Sequence, residues 1–375
     1  MRELQLASYD YFLPKVQIAT HPIFPKEAAK LLVYERAQDK ITHATFKDFS
    51  KFLPPDTLLV FNNTKVLPAR LYGTKVIQDS KAQTQTSGAK IEALFHKEIS
   101  PNVYLMQFKG RLKVGHLVSF GQGIFARILK SQQIESQNPD TQGVGFKEAE
   151  FFRVSQPQTK SSQSFPQDSL ESPLSRKEFF EFLEHFGHIP LPPYLKRKDT
   201  QEDKNDYQSV FAKHLGAIAA PTASLHFSEE SYHDLKNRFD STEITLHVGA
   251  GTFIGVNAEN ILEHKMHKEQ FFLTQDSANK IQNASHITAI GTTAVRVIEE
   301  FARNGALSGE CDLFLHPQNK PLKTQAILTN FHLPKTTLLM LVASFIGLDK
   351  TKQLYEEAIA QNYRFYSYGD GMLIL

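Results

Sequence analysis

The sequence of 375 residues contains one cysteine, Cys311, and its net charge is only +2. A single thiol excludes an intramolecular disulfide and a cysteine-rich metal site, so we expect a reducing cytoplasmic location. The small net charge neither indicates nor excludes nucleic-acid binding, because a basic face can be hidden in a balanced total. The longest apolar run, residues 338–346, is far shorter than the ~20 residues that span a bilayer. The N-terminus also lacks the basic start of a signal peptide, so no membrane association is expected.

Two regions of the sequence differ in their pattern of polar and apolar residues. Residues 68–155 contain short segments of alternating polarity separated by turn residues, which predicts a small antiparallel β-barrel or β-sandwich. The C-terminal half alternates helix and strand signals, as is typical of an α/β core. We therefore predict an α/β main domain formed by residues 1–67 and 156–375, with the β-barrel inserted at 68–155. A Ser/Gln/Pro-rich flexible linker or insertion is expected at 155–175, before a helix with a Ser175–Glu178 capping box that ends at Gly187.

The stretch TLHVGAGTFIGV (245–256) has the beginning of a glycine-rich nucleotide loop. A dinucleotide loop requires a helix to begin at its glycines. Here Gly249 and Gly251 are followed by β-branched and aromatic residues, and the third glycine comes one position late. The dinucleotide interpretation therefore fails. The glycines either allow a ligand or strand to approach closely beside His247, or form a plain β-bulge.

Four segments place a histidine beside turn-forming or helix-opening residues: PTASLH (221–226), LHVG (246–249), HKMHKE (264–269) and TNFHLP (329–334). A hydrogen-bonded structural histidine explains any one of them. Together they suggest proton transfer, for which imidazole is the side chain best matched to neutral pH. His264 and His267, with Glu269 nearby, can also be interpreted as metal ligands on one helix face, although no HExxH motif or cysteine knuckle accompanies them.

Two further segments have both a structural and a functional interpretation. Thr292 or Thr293 is predicted to be the N-cap of a helix after Gly291, or else part of a seat for a carboxylate or phosphate, with Arg296 one turn further on. Residues 363–370 (YRFYSYGD) form either a strand with aromatic partners or a platform that stacks a purine. In the second case Arg364 and Asp370 would supply polar contacts.

In their order, these segments resemble the S-adenosylmethionine:tRNA ribosyltransferase-isomerase family of the queuosine pathway. The likeness runs from Tyr9 to the C-terminus, interrupted by the Ser/Gln-rich loops. The blocks that carry it are YDYFLP (9–14), LLVFNNTKVLPARLYG (58–73), GHIPLPPYLKR (187–197), DYQSVFA (206–212), AAPTASLHF (219–227), TLHVGAGTF (245–253), HKMHKE (264–269), GTTAVR (291–296), TNFHLPKTTLLMLV (329–342) and YRFYSYGDGMLI (363–374).

The resemblance implies an α/β domain carrying a β-barrel domain, and an enzyme that acts on tRNA with 7-aminomethyl-7-deazaguanine at the wobble position. S-adenosylmethionine donates its ribosyl part, which is isomerised to give epoxyqueuosine-tRNA, and adenine and methionine are released. No metal and no cofactor beyond this co-substrate is implied, and a monomer is the default expectation. The expected acid/base group is His226, His247, His267 and His332, with Glu269 orienting one of them. Expected substrate contacts are Arg70, Tyr207, Thr222, Gly249, Gly251, Thr292, Arg296, Asn330, Arg364 and Asp370.

Several matters stay open at this point. The alternatives are a histidine-based metal-dependent hydrolase and a non-catalytic tRNA-binding protein. The sequence does not assign base and acid among the histidines, the tRNAs bound, or the role of the barrel in anticodon recognition. It also departs from the family pattern at five positions. Lys26 and Lys30 stand where arginines are usual, and Ser224 stands where the PTASLHF block usually has a glycine. Asn63 and Lys65 replace an aspartate and an arginine. These departures weaken any phosphate-binding role of the N-terminal positions, and Ser224 predicts a turn that needs no positive φ.

Overall fold

The computed structural model describes residues 2–79, 84–132, 144–154, 171–249, 255–256 and 258–375. The chain separates into two compact units, one formed by Met1–Val66 with Leu191–Leu375 and the other by Leu67–Pro190. The domain bounds expected from the sequence stay a prediction. Most of the expected linker, residues 155–170, lies outside the described residues.

The strands of the described chain are β1 (Lys30–Glu35), β2 (Lys40–Thr45), β3 (Thr57–Asn62), β4 (Thr64–Val66), β5 (Arg70–Asp79), β6 (Thr84–Ser100), β7 (Val103–Lys109), β8 (Leu117–Ser119), β9 (Ile124–Gln132), β10 (Val144–Val154), β11 (Glu171–Pro173), β12 (His214–Ala217), β13 (Ser241–Leu246), β14 (Glu269–Phe272), β15 (His286–Ile290), β16 (Ser308–Cys311), β17 (Ala326–Asn330) and β18 (Gly371–Ile374).

The α-helices are α1 (Arg176–Phe186), α2 (Asp203–Asp206), α3 (Glu229–Arg238), α4 (Gln275–Asn283), α5 (Thr292–Asn304), α6 (Thr337–Ile346) and α7 (Leu348–Ala360). In the part of the chain that the structure describes, no helix is long and apolar enough to cross a membrane.

The main sheet of the first unit has, within the described residues, nine strands in the order β16-β14-β13-β3-β15-β17-β18-β1-β2. Its centre is parallel, and Leu59 of β3 pairs with Ser241 of β13 on one side and with Thr288 of β15 on the other. Strands β3, β15 and β17 are buried over nearly their whole length, as expected for a sheet covered on both faces. Because parallel strands end at one edge, the segments that follow β13, β15 and β17 meet there.

The second unit is a barrel. Its seven described strands follow the order β11-β10-β7-β6-β5-β8-β9, and a further antiparallel pairing of β10 with β9 closes a ring from which β11 is left out. Interior and exterior side chains alternate along β7, where Tyr104, Met106 and Phe108 are buried. The predicted fold class, an α/β domain with a small antiparallel barrel, is confirmed.

Helix α1 contributes an aromatic side chain to the barrel core. Its predicted capping box is present, since Ser175 and Glu178 cap each other, and the helix ends at Gly187 as expected. The Phe179 ring stacks on Tyr104 with a centroid separation of 3.7 Å and meets Phe151 edge-on at 4.8 Å. The helix is therefore part of the same hydrophobic core as the strands.

The alternative of a strand over residues 363–370 is wrong, because β18 begins only at Gly371. Tyr366 has a φ of 75°, which is incompatible with an extended strand. The Asp370 carboxylate accepts hydrogen bonds from the backbone N–H groups of Lys30 (2.9 Å) and Arg364 (2.7 Å). These contacts hold the segment as a turn against the end of the sheet.

The prediction that Ser224 needs no positive φ is confirmed. Residues Thr222–His226 form a 3-10 helix, and Ser224 is absent from the residues with positive φ. Its side chain is fully buried, and its hydroxyl has no hydrogen-bond partner among the described residues. Burying an unpaired hydroxyl is unfavourable.

We expect Ser224→Ala to leave the free energy of unfolding unchanged or to raise it by up to about 1 kcal/mol, because it removes an unpaired buried hydroxyl. Ser277→Ala is the matched comparison, since the buried Ser277 hydroxyl donates to the Glu243 carbonyl at 2.9 Å. That change is expected to lower stability by about 1–2 kcal/mol. Urea unfolding measures both. A clear loss of stability in Ser224→Ala would contradict the prediction.

Candidate active site

A cavity of about 330 Å³ lies at the edge of the main sheet where the parallel strands end. Val248 follows β13, Gly291 follows β15 and His332 follows β17, and all three line it. The volume falls within the ~300–1,000 Å³ that is usual for small-molecule sites. The expected site residues that line this cavity are Tyr207, Thr222, Glu269, Thr292, Arg296, Asn330 and His332.

Glu269 and Arg296 form a buried ion pair in the cavity wall. Arg296 also donates to the Cys311 carbonyl (2.9 Å), and the Glu269 carboxylate accepts a hydrogen bond from the Gly249 N–H (2.9 Å). Burial lowers the pKa of Arg296, but the charge of Glu269 and the hydrogen bonds outweigh it, so that pKa is raised. The guanidinium therefore stays charged, and two opposite charges are fixed side by side.

The first turn of α5 also faces the cavity, through Gly291, Thr292 and Thr293. The predicted N-cap at Thr292 or Thr293 is wrong, because the helix begins at Thr292 and the cap is Gly291. A φ of 93° at Gly291 explains the shift, since threonine is strained in that conformation. Without a capping side chain, the first N–H groups of α5 have no side-chain acceptor.

His332 presents a neutral imidazole. Its Nε2 lies 2.8 Å from the Thr329 hydroxyl, while its backbone N–H donates to the Tyr355 hydroxyl (3.0 Å) and its carbonyl accepts from the Tyr11 hydroxyl. Burial lowers the pKa of His332 to about 3. At neutral pH the ring is therefore uncharged.

His226 lies behind the cavity wall and is joined to it by Asn330. The Asn330 amide donates to His226 Nε2 (3.2 Å), and its Oδ1 accepts from the Thr222 hydroxyl (2.8 Å). The His226 ring stacks on Phe46 with centroids 3.8 Å apart. Burial, assisted by the positive charges of Arg364 and Lys26, lowers the pKa of His226 to about 3.

A pair of tyrosines forms another part of the lining. Tyr194 and Tyr366 have ring centroids 4.2 Å apart, and the Tyr194 hydroxyl bonds the Ser367 hydroxyl. Tyr366 belongs to the aromatic segment singled out in the sequence. Tyr194, which no local sequence pattern marks as a site residue, follows two prolines in LPPY. Only the fold places these two rings together, since their positions lie far apart in the chain.

Other expected residues are not among those that line this cavity. Arg364 donates to the Tyr368 carbonyl (2.9 Å), so together with Asp370 it supports the turn that carries Tyr366. His247 Nδ1 lies 2.8 Å from the Thr64 hydroxyl, and its ring packs against Gly216, where an added Cβ would approach it to 2.7 Å. Gly251 lies outside the described residues.

His267 lines a second, smaller cavity of about 80 Å³, which shares Glu269 and Arg296 with the first. His264 lines it too, but these two histidines are not on a helix, as the metal alternative supposed, because they precede β14 in irregular backbone. Within the described ranges, no three His, Cys, Asp or Glu side chains are placed to hold a metal ion.

Arg70 belongs to the second unit. Its Nε lies 3.4 Å from the Glu92 carboxylate, and its backbone pairs with His188.

Two of the departures from the family pattern have structural roles here. The Lys30 ammonium donates to the carbonyls of Gln361 (2.8 Å) and Asn362 (3.3 Å), just beyond the end of α7. The Asn63 amide donates to the Glu243 carboxylate (2.9 Å). Lys65 is exposed.

Comparison with known proteins identifies relatives along the whole chain. Residues 6–374 match the family described as queuosine biosynthesis protein. The S-adenosylmethionine:tRNA ribosyltransferase-isomerase of Aliarcobacter butzleri is 45% identical over 99% of this chain and 99% of its own length. The protein of the same name from Sulfurimonas denitrificans is 46% identical over 100% of this chain and 99% of its own. The crystal structure of the S-adenosylmethionine tRNA ribosyltransferase of Thermotoga maritima superimposes with a TM-score of 0.50 and 27% identity, covering 98% of this chain and 100% of that one.

The low pKa of His226 makes stability depend on pH. The folded ring binds a proton only near pH 3, whereas the ordinary value is 6.5, so unfolding takes up a proton between these limits. Stability therefore falls as the pH drops below about 6.5, by up to about 1.4 kcal/mol per pH unit for this one group. We expect His226→Gln, which keeps an acceptor for Asn330, to lose about 2 kcal/mol less than wild type between pH 7.5 and pH 5.0.

Urea unfolding at the two pH values measures this difference. His233→Gln, at an exposed position of α3, is the control and should keep the wild-type pH dependence. A His226→Gln variant that loses as much stability on acidification as wild type would contradict a neutral, buried His226.

Proposed function

This chain belongs to the queuosine biosynthesis protein family, and we propose that it is an S-adenosylmethionine:tRNA ribosyltransferase-isomerase. It transfers the ribosyl part of S-adenosylmethionine to the aminomethyl group of 7-aminomethyl-7-deazaguanine in tRNA. It isomerises that part to the epoxycyclopentane of epoxyqueuosine and releases adenine and methionine. The observation that supports this proposal most directly is a ligand-sized cavity that combines aromatic rings, a fixed ion pair and a neutral imidazole.

The reaction requires proton transfer and positioning rather than a thiol. The positive sulfur acidifies the C–H bond of the neighbouring ribose carbon, so a base that removes this proton leaves a carbanion stabilised by the sulfonium. Adenine leaves more readily when an acid protonates it. The amine of the modified base must then be held close to the opened sugar, which is a matter of orientation.

His332 is our candidate for the proton-transfer group in contact with substrate. It lines the cavity, its backbone is held by Tyr11 and Tyr355, and its imidazole is neutral. The unprotonated ring is the form in which an imidazole acts as a general base. We assign His226 a positioning role through Asn330, and we keep His247 and His267 as further candidates in the acid/base group.

The tyrosine pair is our candidate for adenine recognition. Tyr194 and Tyr366 offer aromatic surface to the cavity, and a purine can stack on such a surface. The positive φ of Tyr366 places the ring there at a cost in backbone strain, which is typical of functional positions. Tyr207, Thr222 and Asn330 are further candidate substrate contacts, and so are Arg70, Gly249, Gly251, Arg364 and Asp370 of the sequence prediction.

The macromolecular partner in this proposal is tRNA. With a net charge of only +2, binding would rely on local contacts between Lys or Arg and phosphates, so affinity should fall as salt rises. A cytoplasmic location and a monomeric state belong to the same proposal.

We expect His332→Gln to lower the rate of adenine release by at least about 100-fold, the contribution that a positioned acid or base commonly makes. The assay combines S-adenosylmethionine with tRNA that carries the aminomethyl base, and mass analysis of nucleosides detects the product. Affinity for S-adenosylmethionine should change only a few-fold. His233→Gln, on the surface of α3, serves as the control with wild-type rate.

The same assay separates the alternatives. A metal-dependent hydrolase would lose its activity on chelation, whereas the transferase keeps it. A non-catalytic tRNA-binding protein would release no adenine in the wild-type form. A wild-type protein that yields neither adenine nor the heavier nucleoside would contradict the proposed function, and a normal rate in His332→Gln would contradict the assignment of His332.

A further inference from the structure

We infer that the first turn of α5, with Arg296 one turn further along, binds the carboxylate of the methionine half of S-adenosylmethionine. This inference rests on the proposed function and assigns one subsite within the same cavity. It begins with the helix terminus. Helix α5 has 13 residues and starts at the cavity wall, and its cap, Gly291, offers no side-chain acceptor. Its first N–H groups and its positive dipole end are therefore available to an anion.

Thr292 supplies a second, independent indication of a ligand. The residue is only 9% exposed and lines the cavity. Its hydroxyl has no hydrogen-bond partner among the residues that the structure describes. The adjacent Thr293 hydroxyl, by contrast, accepts from the Asn62 amide at 3.0 Å. The Thr292 hydroxyl is thus an unpaired donor on a nearly buried residue of the cavity wall, and a bound anion can satisfy it.

Arg296 adds a fixed positive charge at the same end of the helix. It follows Thr292 by four positions, so both lie on one face of α5. Its Nε is buried and has no acceptor among the described residues, although its terminal nitrogens bind Glu269 and the Cys311 carbonyl. The guanidinium therefore keeps donor capacity beyond its present contacts.

The charge of the site favours a carboxylate over a phosphate. Of the described residues that line the cavity, Arg296 alone is a lysine or arginine, and Glu269 offsets its charge. A phosphate group brings up to two negative charges, for which this wall offers little compensation. A monovalent carboxylate needs only the helix terminus, the Thr292 hydroxyl and the nearby guanidinium.

The Glu269–Arg296 pair also suits the rest of an amino-acid head group. An α-ammonium lies two bonds from the carboxylate of the same molecule. In the cavity wall, the negative charge of Glu269 likewise lies beside the positive charge of Arg296. The pair therefore offers opposite charges in the arrangement that a zwitterion requires. S-adenosylmethionine has one such group, on its methionine half.

The test compares S-adenosylmethionine with its decarboxylated form, which keeps the sulfonium, the adenosine and the amine. Calorimetric titration of the full-length wild-type protein should show affinity for the decarboxylated compound at least about tenfold lower. Thr292→Val, which keeps the shape of the side chain, should weaken binding of S-adenosylmethionine about three- to tenfold and leave the decarboxylated compound unaffected. Thr351→Val is the matched control, because Thr351 is buried in α7 away from the residues that line the cavity and its hydroxyl donates to the Gly347 carbonyl (2.7 Å). The ratio of the two affinities should stay at the wild-type value in this variant.

Equal binding of both compounds by wild type would overturn the inference, and so would an equal loss for both in Thr292→Val. Adenine release by the wild-type enzyme is measured in parallel. If adenine is released but the carboxylate makes no difference to affinity, the subsite alone is wrong. If no adenine is released and S-adenosylmethionine does not bind, the proposed function fails as well.

Discussion

The buried ion pair between Glu269 and Arg296 is the interaction on which the rest of the site depends. It joins the start of β14 to helix α5, and the Cys311 carbonyl and the Gly249 N–H complete its hydrogen bonds. Two charges can be removed from water only when each is well paired, and loss of one partner typically costs about 3–5 kcal/mol. Both cavities of this region share the pair as a wall. Its geometry therefore fixes where charge is presented to a ligand.

The second constraint is the direction of the central strands. Because β13, β3, β15 and β17 are parallel, the residues that follow them meet at one edge of the sheet. Val248, Gly291 and His332 come from three different connections and still line one cavity. The turn of residues 363–370 reaches the same cavity, where Tyr366 and Ser367 complete the lining. A rigid sheet edge thus brings together groups that are far apart in the chain.

The fold class could be predicted because local patterns are enough for it. Alternating segments in 68–155 indicated a barrel, and the Ser175 capping box and Gly187 marked the ends of α1. The ends of helices and strands were harder to predict from the sequence where they depend on unusual backbone angles. The positive φ of Gly291 moved the start of α5 away from the predicted threonine cap, and that of Tyr366 replaced a predicted strand alternative by a turn. For the site, the sequence indicated which types of residue take part. The contact between Tyr194 and Tyr366 follows only from the tertiary structure.

The most direct measurement of the central claim is a crystal structure of the protein with S-adenosylhomocysteine, a stable analogue that has the same amino-acid head group. We expect the ligand carboxylate about 3 Å from the first N–H groups of α5 and the Thr292 hydroxyl, with the adenine against the Tyr194 and Tyr366 rings. A ligand bound with its carboxylate away from α5, or with its adenine in contact with the Glu269–Arg296 pair, would contradict it.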